Sequence, residues 1–133
     1  MTRINLVNPK ELSDQHLVAE YREIFMVGSS LQRSMKSKNW INTKNNIPEE
    51  FTLNKGHVTF FYNKGMYLDK RYSLLINEMK RRGMNPDPKR IFKKSQWPKQ
   101  LYNDWNPKNK DLKIIRERIE EKISLKPDWY RFS

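Results

Sequence analysis

Cysteine is absent from the 133 residues. That excludes a disulfide scaffold, thiolate zinc sites and a cysteine nucleophile. Glycine is scarce, with only 4 residues, and the chain holds no P-loop, dinucleotide fingerprint, HExxH pair or GxSxG elbow. No apolar run approaches the ~20 residues that a membrane span needs. The start, MTRINLVNPKEL, lacks the continuous apolar stretch of a secretory signal. The expectation is an intracellular protein with no membrane association. Its length suits a single domain, residues 1–133, because one core usually serves roughly 100–200 residues. Acid is also in deficit, with 15 Asp+Glu against 27 Lys+Arg and a net charge of +12.

That cationic excess, with a pI near 10.0, points to a polyanionic partner. Neutralising phosphates with Lys and Arg releases counterions, and this supplies most non-specific nucleic-acid affinity. Aromatic residues lie among the cations: Trp40, Trp97, Tyr102, Trp105 and the tail Trp129-Tyr130-Arg131-Phe132. Rings of this kind stack on bases or wedge between them, but in a small domain most of them fill the core. The cations are spread over several segments instead of one amphipathic helix, which disfavours a membrane surface. Nucleic acid is therefore the expected partner.

Three stretches have helical periodicity. In the first, about Ser13–Ser34, Leu17, Tyr21, Ile24 and Gly28 share a face, and Ser13 or Asp14 can cap the start. Pro9 upstream predicts an extended N-terminal arm. The second, about Lys64–Arg82, carries Leu68, Tyr72, Leu75 and Met79, with Gly83 as a stop signal. The third, about Lys108–Leu125, carries Leu112, Ile115, Ile119 and Ile123; Arg116 and Glu120 are spaced to pair, and Pro127 ends it. Two long connections, about Lys38–Tyr62 and Met84–Pro107, read as irregular. His57–Tyr62 has strand-like propensity but no second strand to pair with. The predicted fold is all-α: a compact single domain of three main helices with long ordered loops.

The first helix has a polar side that presents Gln15, His16, Arg22 and Glu23 around the small Ala19. A solvated charged face accounts for such a pattern. A metal site on His16 and Glu20 is weak with two histidines in the chain. Glu20 and Glu23 form a carboxylate pair of the kind used in glycoside hydrolysis, though any acidic helix supplies one. A further nucleophile is the chain terminus. Thr2 is small, so Met1 is removable, and the freed α-amine titrates near ~7.7–8.0 and is partly neutral at physiological pH.

Met1–Leu6, Asp14–Leu17 with Ala19–Glu23, Gly56–Tyr62, and Glu121–Ile123 running through Pro127 to Trp129-Tyr130 closely resemble the pyrimidine-dimer DNA glycosylase family of the T-even phage type. The blocks keep their order over nearly the whole chain. The resemblance implies repair of ultraviolet-damaged DNA by glycosylase and abasic-site lyase steps. In that family the amine corresponding to Thr2 attacks the anomeric carbon and forms an imine that permits β-elimination. Glu23 matches the essential carboxylate, which flanking arginines would keep ionised. Arg3, Gln15, His16 and Arg22 match residues that bind DNA or organise the site, Arg118 and Lys122 match phosphate-contacting cations, and Trp129 and Tyr130 match the aromatic tail near the lesion. The implied partner is double-stranded DNA containing damaged bases or abasic sites, bound by a monomer with no metal and no cofactor. One departure stands out. After Glu23 the family reads Leu-Pro-Arg, whereas this chain has Ile24-Phe25-Met26. A DNA-binding relative with altered or lost lesion specificity is the alternative that this leaves open, and a metal-dependent nuclease is a distant third.

Overall fold

Three long helices carry the architecture: α1 (Asp14–Met35), α4 (Gly65–Arg81) and α5 (Asn109–Leu125), with the short α2 (Trp40–Asn45) and α3 (His57–Phe60) between the first two. The computed structural model describes residues 3–133, and no strand occurs among the described residues. The all-α expectation and its three main helices hold, each with ends within one residue of the periodicity. The predicted apolar faces are the ones that turn inward. Leu17, Tyr21, Ile24 and Gly28 of α1 are buried, as are Leu68, Leu75 and Met79 of α4 and Ile115 and Ile119 of α5.

The helix ends follow local chemistry. Ser13 caps α1, its hydroxyl accepting the His16 N–H at 3.0 Å. At the end of α4, Gly83 takes a left-handed φ of 83°. Its N–H donates to the Lys80 carbonyl, and the Met84 N–H reaches back to Met79, a Schellman closure that a Cβ would disfavour. Gly65 serves a different need. A Cβ there would stand 2.8 Å from the Trp97 ring, so only glycine lets that indole lie against the start of α4.

Residues 57–62 are helical, not irregular: α3 runs into a 3-10 turn, Phe61–Asn63. The cause is an aromatic cluster. Phe60 and Phe61 meet edge to face at 5.1 Å, and both pack on Phe51 and Trp105. Burying consecutive rings on one side needs a helical turn, whereas a strand would send alternate rings to opposite faces. Trp97 and Trp105 thus belong to the packed interior, whereas Trp129 is 56% exposed. Arg116 also departs from expectation. It forks onto Glu11 through two bonds of 3.0 Å instead of pairing with Glu120, because Glu11 offers both oxygens in one plane.

The predicted N-terminal arm packs into the interior. Ile4, Asn5, Leu6 and Val7 are all buried, and Pro9–Glu11 forms a 3-10 turn. At Leu6 the backbone takes a left-handed φ of 58°, and the Val7 N–H bonds back to the Asn5 carbonyl in a γ-turn. A buried ion pair grips this turn. Arg71 of α4 donates to Glu20 of α1 at 2.7 and 2.9 Å and also to the Val7 carbonyl, while Glu20 accepts the Asn5 N–H at 3.1 Å.

Candidate active site

A cleft of about 230 Å³ opens beside the first turns of α1. The arm supplies Arg3 and Asn5, α1 supplies Gln15, His16, Ala19 and Glu23, α5 supplies Arg118 and Lys122, and the tail supplies Trp129 and Tyr130. The helical repeat of α1 puts Ala19 and Glu23 one turn apart on one side, and the small Ala19 leaves the space. Sequence spacing could not bring in α5 or the tail, because their approach depends on the whole chain path.

The tail is clamped in place by the start of α1. Gln15 donates to the Trp129 carbonyl at 2.6 Å and accepts the Arg131 N–H at 3.0 Å. The Asp14 N–H donates to the Arg131 carbonyl, and its carboxylate takes bonds from Ser133 and Arg82. These contacts lay Tyr130 flat on His16, with ring centroids 4.9 Å apart and planes 4° from parallel. Trp129 meets Tyr130 edge to face at 4.9 Å and keeps one side open to solvent. The Gln15 amide is thus engaged by the tail, a role that its position on a polar helix face did not indicate.

Burial raises the pKa of Glu23, and Glu20 adds to that, while Arg118 and Arg3 oppose it. This corrects the expectation that flanking arginines keep the carboxylate ionised more readily than usual: partial desolvation outweighs them. His16 is pushed down by burial first, then by Arg118 and Lys122. Its Nδ1 lies 2.8 Å from the Ser13 hydroxyl. The cleft therefore combines a carboxyl whose pKa is raised by burial, an imidazole whose charged form is disfavoured, and the three cations Arg3, Arg118 and Lys122. Such a set can bind phosphate and move a proton beside it.

Arg22 is not brought into this cleft. Its side chain is exposed on a neighbouring face of α1, and its carbonyl accepts from Arg90 at 3.0 Å. Thr2 lies outside the described residues. Glu20 does border the cleft, but its carboxylate is committed to Arg71 and the Asn5 N–H, which removes it from both the metal and the paired-carboxylate readings. No cluster of three metal-capable side chains occurs among the described residues. Asn5 is the lining residue that sequence reasoning did not single out; its place in a buried arm gives no periodic signal. A larger cavity, about 310 Å³, lies between Phe25 of α1 and the Asp87–Gln96 loop. It contains neither Glu23 nor a histidine.

No described helix is long and apolar enough to cross a membrane. A family model described as pyrimidine dimer DNA glycosylase matches residues 1–92. That stretch holds the arm and α1 through α4; Arg118, Lys122, Trp129 and Tyr130 come from beyond it.

Proposed function

This chain belongs to the pyrimidine dimer DNA glycosylase family, and from that premise we propose that it acts on ultraviolet-damaged duplex DNA as both a glycosylase and an abasic-site lyase. Membership makes it a DNA repair glycosylase with DNA as substrate. In the finer reading, the α-amine of Thr2, freed by removal of Met1, attacks C1′ of the damaged nucleotide. A C1′–N bond forms, the bond to the base breaks, and its electron pair leaves with the base, which takes up a proton. One ammonium proton then passes to O4′ as the C1′–O4′ bond breaks, O4′ keeps that electron pair as a hydroxyl, and the nitrogen lone pair forms a protonated imine at C1′. The imine acidifies C2′; a proton departs there and the 3′ phosphate is expelled, nicking the strand.

Positive charge grows on the sugar as the base leaves, and a carboxylate in the cleft stabilises that state. Glu23 fills this role, and its raised pKa suits it to handling protons as well. Arg3, Arg118 and Lys122 hold phosphates around the reacting nucleotide, with Arg22 extending the grip outside the cleft. Gln15 holds the tail, and Tyr130 backs His16, so that Trp129 presents an open ring to the lesion. Extruding a nucleotide costs a few kcal/mol, least at a damaged step. The chain acts as a monomer and a single domain, without metal or cofactor.

The observation that carries this reading is the meeting of Glu23 with Arg3, Thr2's neighbour in the chain, and with the α5 cations in one cleft. Borohydride trapping tests it. Duplexes with a cyclobutane dimer or an abasic site should give a covalent adduct with the chain, and undamaged duplex should not. Extra residues ahead of Thr2 should impair trapping, because an amide nitrogen is not nucleophilic, and chemically blocking the terminal amine should abolish it; an adduct that survives the blocked terminus would assign the imine to a lysine.

A further inference from the structure

His57 lies outside the cleft, is fully buried, and takes no part in the chemistry just described. Its Nδ1 stands 2.8 Å from the Thr52 carbonyl. A carbonyl only accepts, so Nδ1 carries the proton and Nε2 is bare. That bare nitrogen accepts the Ile4 N–H at 3.0 Å. Edge-to-face contacts with Phe51 and Phe61 fix the ring plane. We propose that His57 is a positioning residue for the N-terminal nucleophile, holding the Arg3–Ile4 peptide plane to which the amine-bearing end of the chain is tethered.

The peptide unit is planar, so fixing the direction of the Ile4 N–H also fixes the Arg3 carbonyl and the Arg3 Cα. Only the soft dihedrals of Arg3 and Thr2 then separate this anchor from the terminal nitrogen. Two residues reach at most about 7 Å. Without the anchor, the next fixed amide is that of Asn5 on Glu20; the tether becomes three residues, about 10 Å, and the volume open to the amine grows about threefold. Attack on C1′ depends on concentration and orientation together, so loss of the plane slows it by at least that factor. The neighbouring turn at Leu6 is strained, and Glu20, Arg71 and His57 hold the chain on both sides of it. Burial pushes the His57 pKa down to about 4, so the accepting nitrogen stays bare across physiological pH.

This inference rests on the imine reading above, and the test separates the two. His57→Asn keeps a donor near the Thr52 carbonyl but falls short of Ile4, while His57→Gln can place an acceptor near the Nε2 position. Single-turnover borohydride trapping at saturating abasic-site DNA is measured beside the Kd for that DNA. We expect Asn to slow trapping by about threefold to tenfold with Kd within about twofold of wild type, and Gln to recover most of the rate. Equal rates for Asn and wild type, or a Kd loss matching the rate loss, overturn the positioning role. If both variants unfold, the wild type decides: its Ile4 amide must exchange slowly and show N–H···N coupling to His57 Nε2 by NMR, and the absence of that coupling overturns the proposal. A wild type that gives no adduct removes the imine reading and this inference together.

Discussion

Replacing Arg71 by methionine probes the joint on which the arm and the cleft both depend. The Arg71 side chain is 2% exposed and its Glu20 partner 0%. The guanidinium makes two bonds to Glu20 and one to the Val7 carbonyl. Methionine fills much of the same volume but leaves a buried carboxylate with the Asn5 N–H as its remaining hydrogen-bond donor. Removing one partner of such a pair costs about 3–5 kcal/mol, a large part of the roughly 5–15 kcal/mol that holds a domain together. At about 3–5 °C per kcal/mol, Tm should fall by roughly 10–20 °C. Adding Glu20→Leu to the same chain takes away the stranded charge and should recover about a third to three-fifths of the loss. Recovery stays incomplete because the Asn5 N–H and the Val7 carbonyl each lose a partner, about 1 kcal/mol apiece. Thermal and urea melts followed by circular dichroism measure both steps, the first giving Tm and the second the free energy. A single variant within about 1 kcal/mol of wild type, or a double variant no better than the single, would refute the claim that this pair is a buried structural joint.

Glu23→Gln should abolish base release from dimer-containing duplex while leaving the Kd for DNA within a few-fold; unaltered release in a gel-based nicking assay would take Glu23 out of its assigned role. Arg118→Ala removes a charge that lowers the pKa of both Glu23 and His16, so both should rise. Base release that needs an ionised Glu23 then loses its acidic limb at higher pH than in wild type, and the slope of log Kd against log salt should shrink by about 0.9; a limb that stays put or moves to lower pH argues against the coupling. Met26, 52% exposed and one turn beyond Glu23 and Arg22 on α1, offers no charge to a phosphate. Met26→Arg should tighten binding to damaged and undamaged duplex alike and steepen the salt slope by about 0.9, as read by fluorescence anisotropy.

Legibility differs sharply between parts of this protein. The three long helices were plain because each repeats its apolar residues at the helical period and ends on a recognisable signal: Ser13 before α1, Gly83 after α4, Pro127 after α5. The helical turn at 57–62 was not, since rings such as Phe60 and Phe61 have strand-like propensity until Phe51 and Trp105 give them a common side to bury against. Arg116 shows the same limit: Glu120 is near in sequence, but Glu11 is the carboxylate that faces it.

The candidate site divides along the same line. The primary structure by itself determined a cationic, cysteine-free helical chain, a polar strip of Gln15, His16 and Glu23 on α1, and the residue blocks that mark its family. Those features depend on composition, on local periodicity or on the order of residues. Only the tertiary structure decided that Arg22 stays outside the cleft, that Gln15 is taken up by the tail, that Glu20 is locked to Arg71, and that burial outweighs the arginines at Glu23. Desolvation and partner choice depend on which distant segments close over a side chain, and no local pattern carries that information.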